Sequence, residues 1–331
     1  MSLLINGALR EQWLESERED GEFIRQDSQF RHWISADGSA GPSGENGFKA
    51  EPGRYHLYIS LACPWAHRTL IFRKLKGLED IISLSAVSPD MGDAGWKFTS
   101  AGGEPFAGTT DDGVNGFDFM HQVYTQAKPD YTGIVTVPVL WDRQRHTIVN
   151  NESSEIIRML NSAFDTCGAS GPDYYPKALR EDIDSINGFI YGNINNGVYR
   201  TGFAASQTAY EWAFRHLFDA LDELEQRLAS QRYLVGTQIT EADWRLFTTL
   251  LRFDAVYVGH FKCNLRRIAD YPNLSGYLRE LYQLPGIAET VDFTHIKRHY
   301  YYSHTSINPT RIVPLGPRLD LEASHNRQHL Q

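Results

Sequence analysis

The chain has 331 residues, 41% of them hydrophobic, a formal charge of -9 and three cysteines. That length holds one large or two ordinary domains with an ample core, and the acidic balance argues against nucleic acid as a partner while leaving room for a local basic pocket. Three scattered cysteines cannot make a disulfide framework and fit a reducing compartment, and no stretch approaches the roughly 18 uninterrupted apolar residues of a membrane span.

The first ten residues lack a basic region followed by a long apolar run, and Glu11, Glu15, Glu17, Glu19 and Asp20 soon follow, so secretion is not expected and a cytoplasmic location is. Residues 1–50 are polar, and the stretch from Asp37 to Glu45 reads as an irregular arm rather than a domain. Tyr55 to Ser60 reads as a buried strand, Pro64 to Lys76 as a helix ending in basic residues before Gly77, and Ile81 to Val87 as a second strand. From Ser88 to Gly133 the composition turns to Gly, Asp, Thr and Pro with scattered aromatics such as Trp96 and Tyr124, which predicts a functional loop or insertion. Thr136 to Trp141 and Thr147 to Val149 read as a hairpin, and Asn151-Glu152-Ser153-Ser154 opens a helix through Leu160. Strand, helix, strand, hairpin, helix is the thioredoxin order.

After Pro172-Asp-Tyr-Tyr-Pro176 the pattern is helical only. Segments near 177–195, 207–230, 240–260 and 273–283 carry apolar residues at three- and four-residue spacing. Thr240-Glu-Ala-Asp243 stands where a capping box would open a buried helix. The tail from Asp292 to Gln331, rich in Tyr, His and Pro, does not read as a regular helix. The expected organisation is therefore an arm over 1–50, an α/β thioredoxin-like domain over 51–165, an all-α domain over 176–290 and a C-terminal extension over 291–331. No metal is expected, because His295 and His299 have ligand-like spacing but no partner cysteines or nearby acidic ligand.

The residue that carries most chemistry is Cys63, which ends the apolar strand and opens a helix at Pro64. Proline is favoured at the first helical position, so Cys63 stands at or beside the N-cap, where unpaired backbone N–H groups and the helix dipole stabilise a thiolate. A dithiol redox motif would place a second cysteine three residues on, and that position is Ala66. A resolving thiol must therefore come from solution, and in a reducing cell glutathione is the candidate. The competing reading of such a residue is a buried, inert cysteine.

A thioredoxin-like half followed by a helical half, with Val-Pro before a hairpin and Glu-Ser opening the next helix, resembles the cytosolic glutathione transferases over almost the whole chain. Four further stretches sharpen this: Cys63-Pro-Trp-Ala-His-Arg68, Asn195-Asn-Gly-Val-Tyr199, Arg252-Phe-Asp-Ala-Val-Tyr257 with Phe261-Lys-Cys263, and His299-Tyr300. Together with the 88–133 insertion and the extended tail they resemble the glutathionyl-hydroquinone reductases, the xi class of that superfamily. The resemblance implies an α/β thioredoxin-like N-terminal domain, an all-α glutathione-transferase C-terminal domain, and a glutathione-dependent oxidoreductase. In its reaction, Cys63 attacks the sulfur of a glutathionyl-hydroquinone, and a second glutathione frees the resulting mixed disulfide.

The resemblance also implies roles residue by residue. Tyr199 matches a tyrosine that gives a proton to the leaving aromatic carbon. Tyr257 and Tyr300 match two whose hydroxyls hydrogen-bond the thiolate. The Val137-Pro138 peptide, expected to be cis, pairs with the cysteinyl backbone of glutathione as part of the stretch Ile134, Val135, Thr136 and Val137. Glu152 accepts the γ-glutamyl ammonium, Ser153 and the helix N-terminus bind its carboxylate, and Trp96 matches a tryptophan that contacts glutathione. For any one tyrosine the competing role is aromatic packing, and for Glu152-Ser153 it is helix capping. Ile134 departs from a basic residue expected near the glycyl carboxylate, which weakens glutathione binding or shifts that role to Arg68 or another cation.

The expected partners are glutathione, a glutathionylated aromatic substrate and a second copy of the chain, with neither nucleic acid nor membrane. Two other readings use the same motifs. An omega-like thiol transferase or dehydroascorbate reductase would need Cys63 but not Tyr199. A non-catalytic glutathione-transferase-like binding module would need neither and would have an ordinary thiol.

Overall fold

The computed structural model describes residues 2–10, 20–42, 47–99, 102 and 106–330. The acidic run from Glu11 to Glu19 and positions 43–45 of the Gly/Ser stretch lie outside the described residues. The chain divides into two units, one made of Met1–Leu14, Gln26–Pro172 and Thr294–Ser303, the other of Glu15–Arg25, Asp173–Phe293 and His304–Gln331. Among the described residues no helix is long and apolar enough to cross a membrane.

The first unit begins with a strand pair inside the expected arm. Asn6 and Gly7 have φ of 49° and 75°, the left-handed pair that a two-residue hairpin turn requires and that Asn-Gly favours. They join β1 (Leu3–Ile5) to β2 (Ala8–Arg10), and β1 also pairs antiparallel with β7 (Gly133–Ile134). The chain between them holds β3 (Trp33–Ser35) and β4 (Gly47–Lys49), a parallel pair whose Ile34 and Phe48 are buried. The expected irregular arm thus contributes two small sheets, because Leu3, Leu4, Ile34 and Phe48 have apolar surface to bury.

The main sheet has the order β6-β5-β8-β9. Its interior strand β5 (Tyr55–Ile59) is buried at every residue, as a strand with both faces covered must be. It runs parallel to β6 (Ser83–Ala86) and antiparallel to β8 (Val139–Asp142), which turns back into β9 (Thr147–Asn150). Helix α1 (Pro64–Leu75) begins with proline at its first turn and ends in Arg73 and Lys74. Gly77 at φ 60° then takes the left-handed conformation that ends a helix. After it come α2 (Met120–Ala127) and α3 (Ser153–Ser162), which packs on α1.

Helix α2 lies inside the stretch expected to be loop. Its buried Met120, Val123 and Tyr124 have helical spacing, but eight residues set among Gly, Asp and Pro gave too short a period to stand out. The loop before it is organised by the buried Asp112. That carboxylate accepts the Tyr58 hydroxyl at 2.8 Å and the N–H groups of Val114 and Asn115 at 3.1 and 3.2 Å.

In the second unit, α4 (Arg180–Ile190), α5 (Gly197–Gly202), α6 (Gln207–Leu228), α7 (Glu241–Arg252) and α8 (Pro272–Tyr282) follow in order. Every residue of α7 except Arg245 is buried. Its N-terminus carries the Thr240/Asp243 capping box, with Asp243 accepting the Thr240 N–H at 2.8 Å. Two five-residue π turns, Tyr191–Asn195 and Phe253–Tyr257, follow α4 and α7. In the C-terminal extension a short helix, α9 (Phe293–Arg298), runs into a third π turn, His299–Ser303. Farther on, the buried Arg327 donates to the carbonyls of Leu228, Gln231 and Arg232 at 2.9, 3.0 and 2.7 Å, closing the C-terminal end of α6.

Candidate active site

Cys63 is the N-cap of α1, with extended backbone at φ -76° and ψ 124°. Its N–H donates to the Ser60 carbonyl at 3.1 Å and its carbonyl accepts from His67 at 2.9 Å. The strand and the proline-started helix therefore place the half-buried Sγ at the positive end of the helix dipole. The thiol lies 3.5 Å from the Val137 carbonyl, to which it donates, and the Val137–Pro138 peptide is cis. All three cysteines are thiols. Cys167 donates to the Ala50 carbonyl at 3.5 Å. Cys263 is fully buried, which raises its thiol pKa far above the ordinary range.

The 134–137 stretch is held from both sides. Ile134 pairs with Leu3 in β7, and the Val135 N–H donates to the Ser2 carbonyl at 3.0 Å. Tyr124, fully buried on α2, donates to the Thr136 carbonyl at 3.0 Å, accepts the Thr136 N–H at 3.3 Å and accepts the Asn151 amide at 3.1 Å. In the sequence Tyr124 reads only as a loop aromatic, because the bridge joins three segments far apart in the chain.

Glu152 caps α3, accepting the Ser154 N–H at 3.0 Å and the Ser28 hydroxyl at 3.2 Å. The capping role and a ligand-binding role share this carboxylate, since two oxygens offer about four acceptor sites. Buried Ser153, the first residue of α3, lies 3.5 Å from the Arg68 guanidinium, which also stacks 4.6 Å from the Trp65 ring. Arg68 is therefore tied to the N-terminal end of α3.

Trp96 is buried and stacks on His299 with ring centroids 4.6 Å apart. Its Nε1–H is shielded from solvent and has no acceptor among the described residues. His299 donates from Nδ1 to the Pro89 carbonyl at 3.1 Å and meets the buried Tyr300 ring edge-on at 5.4 Å. The extension residue Tyr300 and the loop residue Trp96 thus join one cluster in the unit that carries Cys63. His295 donates to the Ala107 carbonyl at 2.5 Å, so the two histidines engage separate carbonyls. Among the described residues no group of three or more His, Cys, Asp or Glu side chains could hold a metal.

Tyr199 and Tyr257 belong to the other unit. Tyr257 ends the π turn after α7, is fully buried, and stacks on Phe261 at 5.4 Å. Tyr199, on α5, is half-buried, with its ring 6.2 Å from that of Tyr257 and 5.5 Å from that of Phe261. A Cβ on Gly202 would stand 2.2 Å from the Phe261 ring, so glycine is what lets that ring close against α5. Tyr257 and Tyr300 both occupy π turns and Tyr199 lies four residues beyond one. Such turns re-aim a side chain at the cost of regular helical bonding.

A thioredoxin-like unit with a cysteine at the N-cap of its first helix, in a chain with a separate helical unit, defines a thiol enzyme of the glutathione-transferase class. Residues 62–163 match the family model for the glutathione S-transferase N-terminal domain, and residues 201–280 match that for the C-terminal domain. The chain is 56% identical to the glutathionyl-hydroquinone reductase YqjG of Escherichia coli strain K12 over 99% of this chain and 98% of the relative. The glutathione-bound structure of that relative aligns with a TM-score of 0.90 and 55% identity, covering 98% of each chain. A xi-class glutathione transferase from Natrialba magadii aligns with a TM-score of 0.90 and 49% identity over 100% of this chain and 97% of that one. The chain belongs to the glutathionyl-hydroquinone reductases, the xi class of the glutathione transferases.

Proposed function

We propose that the protein reduces glutathionyl-hydroquinones to hydroquinones with glutathione as co-substrate, through a mixed disulfide on Cys63. The observation that carries this reading is a thiol at the N-cap position of α1 with Ala66 where a resolving cysteine would stand. In the first step the Cys63 thiolate attacks the sulfur of the conjugate. An S–S bond forms, the carbon–sulfur bond breaks, and its electron pair leaves on the ring carbon, which takes a proton. The products are hydroquinone and Cys63 disulfide-bonded to glutathione. A second glutathione thiolate then attacks that disulfide, releasing oxidised glutathione and the Cys63 thiolate. The substrate is reduced by two electrons and two glutathione sulfurs are oxidised to one disulfide.

In this reading the backbone of Ile134, Val135, Thr136 and Val137 pairs with extended glutathione, as strand addition does. Glu152 takes the γ-glutamyl ammonium, Ser153 its carboxylate, and Trp96 contacts the ligand. The buried bridge through Tyr124 keeps Thr136 in place. Tyr124→Phe removes the hydroxyl shared by the part-buried backbone of Thr136 and the buried amide of Asn151, and leaving such groups unsatisfied costs about 1–3 kcal/mol. Calorimetry should show weaker glutathione binding together with a lower unfolding temperature. Unchanged affinity would mean that Thr136 does not hold the ligand.

The covalent step is tested by exposing the protein to a glutathionyl-hydroquinone without free glutathione. Mass spectrometry should find one glutathione on Cys63 and one hydroquinone released per chain. Cys263 should stay unlabelled, since burial holds its thiol protonated. Label at Cys167 or Cys263, or none, removes the mechanism.

Tyr257 and Tyr300 are assigned the thiolate. With the helix N-terminus they should hold the Cys63 pKa below the reference of about 8.5. Thiolate absorbance against pH reads the midpoint, and Tyr257→Phe and Tyr300→Phe should each raise it. If neither does, the hydroxyls serve packing or substrate instead. The proposal further includes a homodimer formed through the helical unit and a reducing, cytoplasmic setting, and light scattering on the purified chain tests the dimer.

A further inference from the structure

Described residues 20–25 belong with the helical unit, and the way they are laced to it singles out Arg25. The Ala205 N–H donates to the Gly21 carbonyl at 2.9 Å, Ser206 donates to the Asp20 carbonyl at 2.6 Å, and Glu22 pairs with Arg200 of α5 at 3.3 Å. Arg25 follows, half-buried. Its Nε donates to Oδ1 of Asn196, the N-cap residue of α5, at 2.9 Å. That bond aims the guanidinium over the ring of Tyr199, with 4.7 Å from its central carbon to the ring centroid. Phe23 lies near-parallel to the Tyr199 ring at 6.4 Å and carries the same guanidinium at 5.4 Å. A cation over a tyrosine face is attracted by the ring, and more strongly once the phenol has lost its proton and the charge spreads into the ring.

We propose that Arg25 is a positioning residue for Tyr199: fixed by Asn196, it stabilises the phenolate that forms when Tyr199 gives its proton to the leaving ring carbon. The inference rests on the reading of Tyr199 as proton donor. The proton moves from the Tyr199 hydroxyl to the carbon that keeps the electron pair of the broken carbon–sulfur bond, and solvent later returns a proton to the phenolate. Glu22 and Arg200 neutralise each other, with Arg200 stacked 4.2 Å from Trp212. His260, on the segment that carries Phe261, has its pKa lowered to about 4 by burial and is neutral above that. The spacing of 174 positions between Arg25 and Tyr199 hides the pair from any local motif.

The test follows single-turnover hydroquinone release in Arg25→Met, Arg25→Lys, Tyr199→Phe and the double variant Arg25→Met with Tyr199→Phe. Ring-carbon NMR of labelled tyrosine reads the Tyr199 phenol in parallel, its signal being the one missing in Tyr199→Phe. Arg25→Met should slow release by about three- to thirtyfold, the span of a partly desolvated cation–ring contact, and should raise the phenol midpoint. Arg25→Lys should restore most of both, because it keeps a positive charge near the face. In the Tyr199→Phe background Arg25→Met should slow release no further. Equal slowing in both backgrounds, or an unmoved phenol midpoint, would reduce Arg25 to a folding contact and overturn the inference. If Tyr199→Phe slows release and Arg25→Met does not, Arg25 alone falls. If Tyr199→Phe releases hydroquinone at the unaltered rate, the donor reading fails and takes this inference with it.

Discussion

Cys63→Ser is expected to reduce hydroquinone release to the uncatalysed background while leaving the fold intact. A serine hydroxyl is smaller than the thiol and sits on a shorter bond, so it fits the half-buried site without strain and gives up only the long 3.5 Å contact that the thiol makes with the Val137 carbonyl, and the unfolding temperature should barely move. The chemistry cannot survive. A hydroxyl at neutral pH is almost wholly protonated, the dipole of α1 cannot bring its much higher pKa into range, and attack on sulfur would give no disulfide for a second glutathione to open. Glutathione binding should persist, since none of the residues assigned to it, on β7 and the following loop, at the start of α3 and at Trp96, is altered. The pattern to look for is therefore binding retained by calorimetry with no covalent glutathione in the mass spectrum. A variant that still turns over would make Cys63 a packing residue and return the chain to the non-catalytic reading, in which the thiol has no special acidity.

The distinction between what was legible in the sequence and what was not follows the range of the interactions. The Cys63 motif is local: strand, cysteine, proline and helix occupy some twenty consecutive positions, and each has its own propensity. The β5-α1-β6 unit, the 139–150 hairpin and the four long helices have enough residues for a period to emerge, and their bounds differ from the expected ones by a few residues at the ends. The three-residue strands β1 to β4 have no room for a period. Their placement depends on partners as remote as Leu3 and Ile134, although Asn6-Gly7 was a usable turn signal. The brace of Tyr124 on Thr136 and Asn151, and the seat of Arg25 on Tyr199, join segments whose separations bear no relation to any helical or strand repeat. The resemblance supplied Tyr199, Tyr257 and Tyr300 as candidates. It could not supply the division that puts Tyr300 in the unit of Cys63 and the other two in the helical unit, which depends on the path of the C-terminal extension.

Tyr199→Phe separates the donor of the proton from the nucleophile. The substitution removes a hydroxyl and keeps the ring, so the contacts with Phe23, Phe203, Tyr257 and Phe261, at centroid distances of 6.4, 6.2, 6.2 and 5.5 Å, remain. Tyr199 is half-buried and the ring that makes these contacts stays, so stability should change little. Hydroquinone release should fall by about 100- to 10,000-fold, the contribution typical of a positioned general acid, because the electron pair left on carbon then has no acid to meet it. Reduction of a small mixed disulfide by the same Cys63 expels a thiolate and needs no proton on carbon, so that rate should hold and serves as the internal control. The ratio of the two rates is the measurement. A fall in both by the same factor would place Tyr199 on the nucleophile or the fold, and the omega-like thiol-transferase reading, which has no use for this hydroxyl, would gain. A fall confined to hydroquinone release ties the helical unit's tyrosine to carbon protonation, the step that distinguishes reduction of an aromatic thioether from exchange at a disulfide.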